Sequence, residues 1–148
     1  MTIRKELEGI AWRTYGAILI FCKNPPCDEG TLADFSGGII TIYPYKSARK
    51  MVSAFCHELA HAYCYRTELY PEYHGLTTPC IKKRGNKQYK FFPKEVFKIE
   101  QFVDRTGHQF YNDMGFRKRF GQYDKHYKDE DYESYFKEHL RKRYEIIS

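Results

Sequence analysis

Apolar and polar residues alternate with helical and strand periods in the first half of the chain. A helix is predicted after Thr2, a suitable N-terminal cap, and Gly16 should end it. Its apolar side consists of Ile3, Leu7, Ile10 and Ala11. Residues 17–22 form an apolar run of strand length. Residues 39–43 are rich in β-branched side chains and stop at a proline, so they form a second predicted strand.

A second helix is predicted over residues 47–65, which contain no glycine or proline. One apolar stripe runs along it and consists of Met51, Val52, Phe55, Leu59, Ala62 and Tyr63. His57 and His61 lie off this stripe, on a neighbouring face. The helix therefore has one side for the core and another that carries imidazoles.

Two more helices are predicted in the second half. One covers residues 94–114, although Gly107 weakens its second part, and the other covers residues 129–147, with acids at its start and Lys and Arg at its end. The pattern indicates an α+β fold, in which a short, mostly antiparallel sheet packs on the 47–65 helix beside additional C-terminal helices. No repeat, linker or break in composition divides the 148 residues, so we expect a single domain, 1–148.

The strand at residues 39–43 directly precedes the 47–65 helix, and its place in the sheet has two interpretations. As an edge strand it would offer unpaired backbone groups, to which an extended peptide could add as a further strand. As an interior strand it would have no such role. The sequence leaves both open.

Composition narrows the setting of the protein. Five cysteines are an odd number and show no CxxC spacing, so neither a disulfide framework nor a thiolate zinc site is indicated. No apolar stretch has the length of a signal-peptide core or of a membrane span. We therefore expect a protein of the reducing cytoplasm without a membrane partner.

Positive charge is concentrated in one segment of a chain with net charge +6. Residues 82–94 contain six Lys or Arg and no acid, with Tyr89, Phe91 and Phe92 interleaved. Such a segment could contact a nucleic-acid backbone and stack on bases, or could bind an acidic protein. It could equally be a solvated loop.

Candidate chemistry lies at residues 57–61, His-Glu-Leu-Ala-His, an HExxH motif inside the predicted helix. His57 and His61 are one helical turn apart and point the same way, so both imidazoles can bind one metal ion, and Glu58 then lies beside the coordinated water. The alternative is a helix with two surface histidines and an ordinary glutamate.

A catalytic zinc needs a third protein ligand, and two residues compete for that role. Glu100 falls within the apolar face of the 94–114 helix, where a buried carboxylate is costly unless something binds it. Asp104, one turn further on, could accept a hydrogen bond from a ligand imidazole. His74, on the loop after the motif helix, is the rival, since imidazole is a common zinc ligand. We favour Glu100.

His57-Glu58-xx-His61 followed by Glu100-xxx-Asp104, in a small α+β domain, resembles the gluzincin metallopeptidases. In size the chain is similar to minigluzincins and ImmA/IrrE-like peptidases. The resemblance implies a zincin-like domain with one zinc ion, His57, His61 and Glu100 as ligands, Glu58 as general base and Asp104 as the partner of a ligand imidazole.

A second resemblance is to the SprT/Spartan type, through His61-Ala62-Tyr63 and His74-Gly75. That family acts on DNA-associated proteins. The chain departs from its pattern after Gly75, where the expected aromatic residue is missing.

The expected function is therefore that of a zinc metallopeptidase, a cytoplasmic hydrolase that cuts a protein or peptide substrate. A zinc-activated water would attack the peptide carbonyl, with Glu58 as the base. His108 or Tyr111 could stabilise the oxyanion. The alternative from another class is a non-enzymatic protein that binds nucleic acid or a partner and whose metal site is structural or vestigial.

Overall fold

The computed structural model describes residues 1–24, 33–44, 47–69, 80–84, 87–91 and 94–138, of which 80–84 and 87–91 are described for the backbone alone. The elements in chain order are α1 (Ile3–Tyr15), β1 (Ile18–Phe21), β2 (Ala33–Ser36), β3 (Ile39–Ile42), α2 (Ala48–Arg66), β4 (Cys80–Arg84), β5 (Lys87–Phe91), α3 (Lys94–Asp113) and α4 (Phe116–Phe120). Residues 132–138 are also helical and are called α5 below. The predicted α+β class is confirmed.

Contacts between Cα atoms divide the chain into two units. The first contains Met1–Leu69 and Val103–His126, and the second contains Tyr70–Phe102 and Tyr127–Ser148. Helix α3 is continuous through the boundary between Phe102 and Val103. The single domain, 1–148, stays a prediction.

The sheet of the first unit has the strand order β1-β3-β2, with β1 parallel and β2 antiparallel to β3. Strand β3 is therefore interior, and the edge-strand interpretation of residues 39–43 is wrong. Among the described strands, β1 and β2 are at the edges of this sheet, and β2 packs on α2. The sheet that packs on α2 is mixed, with one parallel and one antiparallel pairing, and is therefore not mostly antiparallel as predicted.

Helices α1 and α2 cover the inner face of this sheet. The side chain of Thr2 accepts a hydrogen bond from the Lys5 backbone N (3.3 Å), and Gly16 ends α1 in the left-handed region with φ 63°, as predicted. Ser47 caps α2 in the same way as Thr2 caps α1. In the hydrophobic core, the apolar stripe of α2 packs with residues of α1 and of the sheet. The core includes Leu7, Ala11, Leu19, Ile40, Ile42, Val52, Phe55, Leu59 and Ala62.

Helix α3 does not weaken at Gly107, contrary to the prediction, and runs unbroken to Asp113. Gly107 is buried where α3 crosses α2. A Cβ atom there would lie 2.9 Å from the Cys56 carbonyl oxygen and 2.9 Å from the His57 Cα atom. Only a glycine permits this approach, because real Cβ contacts are longer. The residue that lowers helix propensity is therefore the one that lets the two helices touch.

The second unit contains the β4–β5 hairpin, the start of α3 and α5. An aromatic stack joins Phe97 to Tyr135, with ring centroids 4.1 Å apart, and Gln101 Nε2 donates to the carbonyls of Lys128 and Glu130 (2.9 and 2.8 Å). The predicted helix over 129–147 is helical at 132–138, while residues 139–148 lie outside the described part.

The basic segment 82–94 is not a simple loop. Its backbone contributes to two antiparallel strands, in which Lys82 pairs with Tyr89 and Arg84 with Lys87. Its side chains from 82 to 93 lie outside the description.

No helix in the described ranges is both long and apolar enough to cross a bilayer.

Candidate metal centre

The HExxH motif lies in the buried middle of α2. His57 and His61 are 4% and 7% exposed, their ring centroids are 5.0 Å apart, and Glu58 is 8% exposed. Every residue of α2 from Val52 to Ala62 is buried, because the sheet covers one side and α3 approaches at Gly107. The surface-histidine alternative is therefore wrong.

Asp104 on α3 meets His57 at the helix crossing. Its Oδ1 atom lies 3.0 Å from His57 Nδ1, and both side chains are buried. Burial alone would raise the pKa of Asp104, but the approach of His126, the hydrogen bond and charge of His57 and the hydrogen bond from Tyr123 lower that pKa well below its ordinary value. Asp104 is thus a carboxylate and an acceptor. Because an ionised carboxylate can only accept, His57 donates through Nδ1, and Nε2 is the ring nitrogen left for a metal.

The other partners of Asp104 come from residues 121–126, the segment after α4. Tyr123 Oη donates to Asp104 Oδ1 (2.6 Å), and the His126 backbone N donates to Oδ2 (3.0 Å). Burial, together with Asp104, raises the pKa of Tyr123, so that this hydroxyl remains a donor. The carboxylate therefore accepts from three groups, His57, Tyr123 and His126.

The imidazole of His126 stacks on that of His57, with ring centroids 4.7 Å apart and 30° between planes. Its Nδ1 atom is buried and lies 3.5 Å from Asp104 Oδ1 but lacks the geometry of a hydrogen bond. Sequence reasoning missed both Tyr123 and His126. No periodicity connects residues 121–126 to α3, and one tyrosine among 14 carries no signal.

Glu100 is buried, 6% exposed, and lies one helical turn before Asp104 on α3. Since Asp104 is bonded to His57, this turn brings Glu100 to the motif. One ligand atom from each of His57, His61 and Glu100 lies within 4.8 Å of the other two. Ligand atoms at this separation are close enough for one metal ion to lie among them.

Two histidines and a glutamate are a donor set of catalytic zinc sites, which keep a further position for water. The three residues therefore offer donors of the types that such a site uses.

A second group of potential ligands, His57, Asp104 and His126, also has atoms within 4.8 Å of one another. Its carboxylate already accepts three hydrogen bonds. A metal ion at this carboxylate would compete with these hydrogen bonds. The group is better explained as the network that orients His57.

The remaining candidate residues from the sequence are Tyr111, His108 and His74. Tyr111 is fully buried and its hydroxyl donates to the Gly121 carbonyl (2.8 Å), while the His108 ring stacks on Tyr123 at 4.8 Å. Both support residues 121–126, and neither belongs to the described groups of potential ligands. His74, the rival ligand, lies outside the described residues. Burial raises the pKa of the Cys56 thiol, which agrees with a structural role.

We compared the chain with known protein families, with curated proteins and with solved structures. No match was found in any of the three. The gluzincin and SprT resemblances therefore stay predictions, and the case for a metal centre depends on the geometry of these residues.

Proposed function

We propose that this chain is a zinc-dependent metallopeptidase of the gluzincin type, in which His57, His61 and Glu100 hold one zinc ion. The observation that carries the proposal is the convergence of three buried ligand atoms within 4.8 Å of one another. The hydrogen bond from His57 to Asp104 supports the same assignment, because metal-binding histidines usually bond a carboxylate or carbonyl through their other nitrogen.

The proposed chemistry is hydrolysis of a peptide bond. When bound, zinc would act as a Lewis acid and lower the pKa of a coordinated water. Glu58 follows His57 on α2 and is the general base: its carboxylate accepts a proton as the water oxygen adds to the peptide carbonyl carbon. Glu58 then passes that proton to the nitrogen as the C–N bond breaks. The products are a carboxylate and an amine.

A protein substrate is supported by the sheet edge beside the motif. Strand β3 is interior, so the edge next to α2 is β2 (Ala33–Ser36). An extended peptide could add to that edge through backbone hydrogen bonds. We therefore propose that a substrate peptide pairs with β2, and not with residues 39–43.

Replacing Glu58 by Gln tests the reaction. We expect hydrolysis of fluorescein-labelled casein to fall by roughly 100-fold or more, because general-base catalysis contributes about that much. Zinc content should stay unchanged, since Glu58 is not a ligand. The matched control is Glu95→Gln, an exposed glutamate on α3, which should keep full activity. Equal activity in Glu58→Gln and the wild type, or no hydrolysis by any of the three proteins, would favour the non-enzymatic alternative.

A further inference from the structure

Residues 121–126, called the strap below, have no regular secondary structure, yet polar contacts hold them on two helices. On the α2 side, Arg49 Nη1 donates to the Gln122 carbonyl (3.0 Å), and Ser53 Oγ accepts from the Asp124 backbone N (3.0 Å). On the α3 side, Tyr111 Oη donates to the Gly121 carbonyl (2.8 Å). The strap is thus anchored independently of Asp104.

The anchored strap places two donors on one carboxylate. Tyr123 Oη reaches Asp104 Oδ1 at 2.6 Å, and the His126 backbone N reaches Oδ2 at 3.0 Å. With each oxygen bonded to the strap, the carboxylate plane is fixed. His57 Nδ1, 3.0 Å from Oδ1, can then form its hydrogen bond in only one ring orientation.

We propose that Tyr123 is a positioning residue: through Asp104, the strap holds the imidazole of His57 in the orientation and tautomer that a metal requires. The inference rests on the zinc site proposed above, and it concerns residues that belong neither to the HExxH motif nor to the three ligands. It makes residues 121–126 part of the site.

The role belongs to the hydroxyl of Tyr123 more than to its ring. The ring stacks on His108 (4.8 Å between centroids) and lies 5.4 Å from the ring of Tyr111. A phenylalanine would keep these packing contacts. Removing the hydroxyl alone takes one of the three donors from Asp104.

The test compares Tyr123→Phe with Tyr111→Phe. Both variants remove one hydroxyl from a buried tyrosine. Tyr111 bonds the strap from α3, whereas Tyr123 belongs to the strap and bonds Asp104. Zinc affinity is measured by competition with a chromophoric chelator. We expect Tyr123→Phe to weaken it by about tenfold or more and Tyr111→Phe by less than about threefold, as for other partners of metal-binding histidines. Equal effects, or no effect of Tyr123→Phe, would overturn the proposal.

A second measurement tests the role of the strap independently of zinc binding. Nuclear magnetic resonance of the zinc-free protein reports whether the His57 Nδ1 proton is held in a hydrogen bond. We expect a protected resonance in the wild type and in Tyr111→Phe, and its loss in Tyr123→Phe. If the wild type binds no zinc, the proposed function fails, and the strap is then judged by this signal alone. An unchanged signal in Tyr123→Phe would refute it.

Ser53→Ala provides an independent variant if Tyr123→Phe does not fold. It removes the anchor at Asp124, which lies between Tyr123 and His126, the two donors to Asp104, whereas Tyr111 holds only Gly121 at the start of the strap. Weaker zinc binding in this variant is the expected result. Zinc affinity equal to that of the wild type would count against the strap.

Discussion

At the scale of single residues, Asp104 is the side chain that orients His57 in the candidate site. Its carboxylate is buried, ionised and bonded to three donors, and one of its side-chain partners is a histidine of the HExxH motif. When one hydrogen-bond partner of a buried charge is removed, the charge that remains is left unsatisfied. Asp104 should therefore contribute both to folding and to the orientation of His57.

The low pKa of Asp104 predicts a specific dependence of stability on pH. A carboxyl group whose pKa is lower in the folded than in the unfolded chain adds stability above its unfolded pKa of about 3.9, and this stability is lost as the pH falls below that value. In urea unfolding of the zinc-free protein, the wild type should therefore lose free energy of unfolding below about pH 4 more steeply than Asp104→Asn, by up to about 1.4 kcal/mol per pH unit.

The control for this experiment is Asp113→Asn, at an exposed position near the end of α3. It should keep the slope of the wild type. If Asp104→Asn also kept that slope, the assignment of a lowered pKa would be contradicted.

The sequence predicted part of the site at this scale. His57, Glu58, His61, Glu100 and Asp104 were found because they lie on helices, where residues three and four apart share a face. Tyr123 and His126 were not found, because their contact with Asp104 depends on where the strap crosses α3. No local pattern encodes that crossing.

At the scale of elements, the contact between α2 and α3 brings Asp104 to His57. Gly107 is the point of closest approach, and the Cys56 backbone and His57 Cα lie where a side chain would begin. The close approach of the two helices explains why a glycine, which has a low helix propensity, occupies this position.

Substituting Ala at Gly107 should therefore destabilise the protein, although Ala is the better helix former. We expect the free energy of unfolding to fall by about 1–3 kcal/mol, as in other overpacked interiors. The matched control is Gly9→Ala within α1, where the added Cβ meets only the flexible end of the Arg13 side chain. That substitution should raise the free energy by about 0.5–1 kcal/mol. Urea unfolding measures both, and a stabilised Gly107→Ala variant would contradict the packing argument.

The sequence predicted the existence of elements better than their partners. The first two helices, β1 and β3 follow from periodicity and from the caps at Thr2 and Gly16. Strand β2 and the basic hairpin were missed, because the strands are short and the charged run resembles a loop. The interior position of β3 depends on its pairing with β1 and β2, which lies beyond the strand's own sequence.

At the scale of the whole molecule, the candidate site takes its metal ligands from the middle of α2 and from α3. The molecule also has a basic segment, because part of its net charge of +6 lies in the β4–β5 hairpin. Contact between that segment and nucleic acid stays a prediction, as does the cytoplasmic location. The central claim is the ligand set, because the proposed chemistry depends on it.

Zinc content, measured by mass spectrometry on purified protein, tests that claim most directly. We expect about one zinc per chain in the wild type, as for a single catalytic site, and a large loss in Glu100→Ala. Glu95→Ala, at an exposed position on the same helix, and His74→Ala should both keep the metal. Retention of zinc in Glu100→Ala together with its loss in His74→Ala would contradict the account and favour the SprT-type ligand set.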